Sequence, residues 1–176
     1  MEQRKSIDAY IAVGSNIEPE RHITQALDRL QEYAHIKGVS TFYRNAPIGR
    51  PEQSEFLNGI WQIETDIAPR RLKFGVLRRI EAELGRTRTE DKYAARTIDL
   101  DIALYGSEVI EEDDLHIPDP DIRRRPFIAV PLLELAPSLI LPNTGEPLSS
   151  LDIVKVHEDL EPVYSFAENL RERIKA

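Results

Sequence analysis

Apolar positions along the chain change their period several times, and each change marks an element. Ile7 to Val13 (IDAYIAV) is a mostly apolar run ended by Gly14-Ser15-Asn16, which predicts a buried strand leading into a loop. Pro19 suits a first helical turn, and Ile23, Ala26, Leu27, Leu30 and Tyr33 or Ala34 then recur at helical spacing. A second strand is expected from Val39 to Tyr43, followed by a loop from Asn45 to Ser54 that carries two prolines and a glycine. Leu57 to Thr65 predicts a third strand, with Trp61 and Ile63 on one face and Asn58 and Gln62 on the other. Pro69 opens a second helix with the stripe Leu72, Val76, Ile80 and Leu84, and Gly85 supplies its stop. After the polar stretch Arg86 to Thr97 comes a strand from Ile98 to Tyr105, then a turn at Gly106-Ser107 and a return strand starting at Val109-Ile110. Six prolines between Pro118 and Pro142 break the chain into short pieces around Phe127 to Leu135. From Ser149 onward one short helix and a final charged helix near Phe166 to Ile174 are expected.

Strands and helices interleave without a regular βαβ repetition, and neighbouring strands read as hairpins. The expected fold is α+β: a mixed, mainly antiparallel sheet covered by helices, a sandwich of ferredoxin-like kind. A length of 176 residues fits one domain spanning 1–176, large enough to bury a core without staples. Net charge is −8, which argues against nucleic-acid and anionic-membrane partners and makes any local basic segment informative. Cysteine is absent, so disulfides, zinc thiolates and thiol nucleophiles are excluded. The N-terminal apolar run is too short and strand-like for a signal peptide, so the expectation is a soluble, cytoplasmic monomer acting on small molecules.

The chemistry concentrates in Arg96 to Ile102 (RTIDLDI). On a strand, Asp99 and Asp101 share one face, while Ile98, Leu100, Ile102 and Leu104 share the other. Two residues advance a strand by roughly 6.5 to 7 Å, so the two carboxylates can surround a small metal cluster. Such hard oxygen ligands suit Mg²⁺, which completes its coordination with phosphate oxygens and water. The bland alternative is a strand with an acidic solvent face. Against it stand the apolar opposite face and the cations Arg86, Arg88, Lys92 and Arg96 just upstream. Arginine suits bidentate phosphate recognition, although alone the segment reads as a solvated loop partly neutralised by Glu90 and Asp91. Loop and carboxylates together suggest a Mg·nucleotide site. No GxxxxGK[ST] loop, GxGxxG turn, kinase HRD or DFG, or seryl elbow occurs, and the four histidines lack metal-ligand spacing. Phosphoryl transfer can proceed without a dedicated base, through positioning and charge neutralisation.

Lys92-Tyr93-Ala94-Ala95-Arg96-Thr97-Ile98-Asp99-Leu100-Asp101-Ile102 resembles the signature of the 6-hydroxymethyl-7,8-dihydropterin pyrophosphokinase family. Tyr10 to Asn16 resembles that family's opening strand and loop. Ala46-Pro47-Ile48-Gly49 and Phe56-Leu57-Asn58 resemble its substrate loop, and Pro131 to Pro137 its late helix. Only the last thirty or so residues lack recognisable counterparts. The resemblance implies transfer of the β,γ-pyrophosphoryl group of ATP to the pterin's hydroxymethyl group, with release of AMP, in folate biosynthesis. It implies that Asp99 and Asp101 hold two Mg²⁺ ions, and that Arg86 and Arg96 neutralise charge on the transferring group from a mobile loop. Arg88 would help close that loop, with Tyr93 as its aromatic lid. Arg125 would contact the ATP phosphates, Glu81 would sit near the adenosine, and Ile102 would line its pocket. For the pterin, Phe56 and Phe127 would stack on opposite ring faces, Asn58 would bond its edge, and backbone groups around Asn45 and Ile48 would complete recognition. A flat, polar-edged ring needs aromatic plates and a few directed hydrogen bonds.

Three positions depart from the family pattern. Asp119 stands where histidine is usual, and a carboxylate near phosphates is repulsive. It could pair with Arg123, Arg124 or Arg125, or His116 could take over the contact. Tyr93 replaces a common Trp, and Ala103 a larger aliphatic residue. Two competing readings are a non-catalytic nucleotide- or pterin-binding module disabled by Asp119, and an RNA-binding domain. The latter conflicts with the charge of −8 and lacks an aromatic ribonucleoprotein motif.

Overall fold

The computed structural model describes residues 5–49, 52–87, 89–91, 93–155 and 159–175. Its main sheet is built on β1 (Ile7–Ser15), flanked by β4 (Phe56–Thr65) on one side and β5 (Asp99–Tyr105) on the other. β2 (His35–Val39) and β3 (Phe42–Asn45) both pair with β4, and β8 (Glu161–Val163) extends the sheet beyond β3. All of these pairings are antiparallel. The α+β sheet covered by helices is therefore as expected, with no parallel component among the described strands.

Alternation along the strands sorts residues between two cores. Ala9, Ile11 and Val13 of β1 and Leu57, Trp61 and Ile63 of β4 face a layer of helices. Those helices are α1 (Pro19–Leu30), α2 and the C-terminal α4 (Tyr164–Lys175). α2 runs continuously from Pro69–Arg71 through a π-helical segment, Leu72–Leu77, into Arg78–Glu83. The opposite face of the sheet offers Tyr10, Ala12 and Ile60 to α3 (Pro126–Leu135) and to 3-10 turns at Leu148–Ser150 and Asp152–Lys155. Helices thus cover both faces, which adds a third layer to the sandwich.

Four local expectations change. The strand expected at Val39–Tyr43 is instead the junction of β2 and β3: Ser40 N donates to the Ile60 carbonyl, and Thr41 N donates to the Glu134 carboxylate, at 2.9 Å to its nearer oxygen. The return strand after Gly106 pairs with its own neighbour, β6 (Ile110–Glu112) with β7 (Leu115–Ile117), rather than with β5. Leu104 does not follow Ile102 to the helical face, because the β1–β5 register shifts between Tyr10 and Ile11 and puts Ala103 and Leu104 in the second core. The stripe Leu72, Val76, Ile80, Leu84 repeats every four residues, which drifts around a 3.6-residue helix. A wider π-helical turn counters that drift, and all four side chains are buried.

The final helix packs on the domain. Phe166 meets Phe42 edge-to-face at 5.4 Å between centroids, Arg171 Nε donates to the Val39 carbonyl at 3.0 Å, and Arg173 pairs with Asp28 at 2.6 Å.

Candidate active site

The face of the sheet that carries α3 opens into a cleft of about 410 Å³ beside the helix's first turn. Its floor follows from strand register. Asp101 lies opposite Ala12, and Asp99 opposite Gly14, which in turn faces Asn58 on the next strand. With neighbouring strands about 4.8 Å apart, Asp99 and Asn58 stand roughly 10 Å from each other across a glycine. The glycine is required: a Cβ at Gly14 would lie 2.4 Å from Asn58 Oδ1. One side of the floor is thus anionic, the other amidic, with only small residues between.

The structure brings Asn45, Ile48, Phe56, Asn58, Tyr93, Arg96, Asp99, Asp101, Arg125 and Phe127 to the walls of this single cleft. Asn45 and Asn58 are buried, and the Asn58 amide donates to Asn45 Oδ1. Phe56 begins β4 and Phe127 stands in the first turn of α3, so the two rings come from different elements. The Asn45–Ser54 loop and the basic loop meet: Gln53 Nε2 donates to the Tyr93 carbonyl, and the Tyr93 ring lies against Gly49, whose φ of +74° suits glycine. Asn16 ties down the end of the basic loop, its Oδ1 accepting from Arg96 N at 2.7 Å and its N donating to the Arg96 carbonyl. Arg88, expected to help close that loop, and Lys92 lie outside the described residues.

Both carboxylates on β5 carry cations. Asp99 Oδ1 accepts from Arg86 Nη1 at 3.0 Å, and its Oδ2 from Arg96 Nη1 at 2.6 Å. Asp101 Oδ1 accepts from Ile102 N at 2.9 Å and lies 3.4 Å from Lys73 Nζ. Burial raises the Asp101 carboxyl above the ordinary range, and the Lys73 charge opposes that rise. Lys73 was not anticipated from the sequence, where it is one polar position beside an apolar helical stripe.

Two residues expected near the nucleotide have side chains that lie off the cleft wall. Glu81 is 2% exposed, held inside by Arg86 Nη1 and by Leu100 N, which donates to its Oε2 at 2.8 Å. Its carboxylate anchors Arg86 and the outer border of β5 and does not line the cleft. The Ile102 side chain is 1% exposed in the helical core, because alternation turns it away from Asp101. Arg86 is itself nearly buried between Glu81 and Asp99, behind the cleft wall.

Asp119 takes neither of the roles weighed for it. Its carboxylate accepts from Asp121 N at 2.9 Å and caps the 3-10 turn Pro120–Arg123, while its own N donates to the Ala103 carbonyl. Arg123 pairs with Glu146, Arg124 lies 3.9 Å from Asp121, and His116 pairs with Glu111 outside the cleft. Burial pushes the Asp119 carboxyl up to about 7, with Asp101 and Asp121 adding to the rise. A carboxyl that holds its proton near neutrality is less hostile to phosphate than its sequence position suggested.

The donor set fits Mg²⁺. Two carboxylates share one face, and among the described residues no third acidic or histidine ligand converges with them. Mg²⁺ binds through one or two carboxylates and draws its other ligands from phosphate and water. Among the described residues no helix is long and apolar enough to cross a membrane.

Residues 10–137 match the family described as 7,8-dihydro-6-hydroxymethylpterin-pyrophosphokinase. The chain is 41% identical over 141 residues to the 2-amino-4-hydroxy-6-hydroxymethyldihydropteridine pyrophosphokinase of Haemophilus influenzae, covering 78% of this chain and 87% of that one. It is 41% identical over 130 residues to the protein of the same name in Bacillus subtilis, covering 72% and 77%. Folic acid synthesis protein fol1 of Pneumocystis carinii is 35% identical over 174 residues, 94% of this chain but 23% of that longer protein.

Proposed function

The chain belongs to the 7,8-dihydro-6-hydroxymethylpterin-pyrophosphokinase family, and on that premise we propose how its cleft works. It is an ATP-dependent diphosphotransferase of folate biosynthesis: the pyrophosphoryl group of ATP passes to the hydroxymethyl group of 6-hydroxymethyl-7,8-dihydropterin. The observation that carries the reading is the division of one cleft floor across Gly14, with Asp99 and Asp101 on one side and Asn58 and Asn45 on the other.

The pterin lies on the amide side, its edge on Asn58 and on groups near Asn45 and Ile48, and its faces against Phe56 and Phe127. That pose puts the hydroxymethyl oxygen toward the carboxylates. This oxygen forms a bond to the β-phosphorus, the bond from that phosphorus to the α,β-bridging oxygen breaks, and AMP leaves with the bridging oxygen. The hydroxyl proton passes to solvent. Asp99 and Asp101 would hold Mg²⁺, two ions on this reading, which supplies charge neutralisation on the polyphosphate. Arg96 and Arg125, both in the cleft wall, bind phosphate oxygens, and Arg86 holds Asp99 from behind. Tyr93 covers the site from the basic loop. Residues 1–176 act as one domain, as a monomer in the cytoplasm. A non-catalytic module is not favoured, since the relatives carry the name of the enzyme and Asp119 leaves both β5 carboxylates in the cleft.

The test is incubation with MgATP and hydroxymethyldihydropterin. AMP and pterin pyrophosphate should form in equal amounts; ADP in place of AMP overturns the assignment.

A further inference from the structure

Among the described residues, Lys73 is the one cation in contact with the β5 carboxylates that comes from neither the basic loop nor its base. It stands in the π-helical segment of α2, where the widened turn keeps Leu72 and Val76 buried while the Lys73 side chain, 17% exposed, reaches Asp101 Oδ1 at 3.4 Å. Single π-helical turns inside α-helices occur frequently at functional sites. The Phe74 ring next to it is flanked by Arg70 at 5.4 Å, Lys73 at 5.6 Å and Arg78 at 4.7 Å, so this stretch of helix is strongly cationic. Arg70 is committed to Glu112 and Asp114. The carboxylates that act on the Lys73 ammonium are Asp101 on β5, Asp119 in the Pro118–Arg125 segment and Asp114 beside β7.

The charge pattern of the site follows from these contacts. Asp99 is matched by Arg86 and Arg96, and Asp101 by Lys73. A divalent cation arriving alone must compete with an ammonium already on Asp101 and gains little net attraction. A divalent cation arriving with a polyphosphate brings the negative charge that Lys73 and Arg96 can turn to, and the carboxylates are then matched by the metal. We propose that Lys73 couples the metal to the nucleotide, holding Asp101 so that metal binds there strongly only when a nucleoside polyphosphate is present. Lys73 is a positioning residue in this scheme, and the proposal rests on the pyrophosphokinase reading given above.

Coupling of this kind is reciprocal and is measured as a ratio of affinities. Mn²⁺ binding is followed by electron paramagnetic resonance with and without α,β-methylene-ATP, which cannot transfer its pyrophosphoryl group, correcting for the metal–nucleotide complex formed in solution. Wild type is compared with Lys73→Met, Lys73→Gln and Lys73→Arg, each checked by thermal melting; two neutral variants guard against one that fails to fold. In the neutral variants Mn²⁺ alone should bind at least tenfold tighter, and the factor by which the analogue strengthens Mn²⁺ binding should fall at least tenfold. Lys73→Arg should keep that factor within threefold of wild type. An unchanged factor in the neutral variants, or weaker Mn²⁺ binding without nucleotide, overturns the proposal and leaves Lys73 a structural strut. Failure of wild type to bind the analogue with Mn²⁺ at all overturns the pyrophosphokinase reading itself.

Discussion

Replacing Asp119 with Asn should stabilise the protein above neutral pH and do little at about pH 3, below the ordinary carboxyl value. The Asp119 carboxyl sits at about 7 in the folded chain against an ordinary value of 3.8. Below both values the folded and unfolded chains are alike in carrying the proton. Between them the unfolded chain releases it and the folded chain keeps it, so stability falls as pH rises, and above 7 the loss is complete. Each unit of pKa difference is worth about 1.4 kcal/mol, which puts the ceiling near 4 kcal/mol. Asp119 is only partly buried, so solvent screening reduces this to about 2 kcal/mol. Asparagine keeps the cap, because its Oδ1 can still accept from Asp121 N. The measurement is urea denaturation of both proteins at pH 3, 4.5, 6 and 8 with a chelator present. The difference between them should open from near zero to about 2 kcal/mol, while histidines and other groups common to both cancel. A difference that is flat with pH, or one that favours aspartate at pH 8, refutes the reasoning.

Three further outcomes follow from the same geometry. Asp101→Asn should lower the rate of AMP formation at least about 100-fold while moving the thermal midpoint little, since the residue lies in the cleft wall rather than in the core. Gly14→Ala puts a methyl on the Asn58 amide oxygen, so KM for the pterin should rise about tenfold, one lost hydrogen bond, with KM for MgATP unchanged in steady-state assays. Glu81→Leu leaves the Leu100 amide and part of the Arg86 charge without their buried acceptor, and chemical denaturation should show a loss of about 3 kcal/mol.

Alternation made the two central strands and the carboxylate pair legible before any coordinates. The strict period in β1 and β4 sets which side chains face which layer, and Asp99 and Asp101 fall on the cleft side by the same rule. The rule failed where register shifts. The irregularity opposite Tyr10 and Ile11 sends Leu104 to the other core, and nothing in DLDIALY marks it. Ser40 and Thr41 looked like strand interior because their anchoring partners, Ile60 and Glu134, are far away in sequence. Lys73 is illegible for a related reason: an i+4 stripe reads as an ordinary helix, and the contact of Lys73 with Asp101 joins residues far apart in sequence. Glu81 was placed near the adenosine by family resemblance, whereas its burial becomes visible only when helix, loop and strand are assembled around Arg86.

β5, which carries the two carboxylates, lies at the border of the sheet. A bare border strand offers its free amides and carbonyls to any other chain and is a seed for aggregation. Here Leu100 N is closed off by the Glu81 carboxylate and the Ala103 carbonyl by Asp119 N, so side-chain and loop contacts next to the site also shield the strand from self-association. Damage to Glu81 or to the Asp119 segment would then show itself first as insoluble protein, and an activity screen alone would misread a solubility defect as a catalytic one.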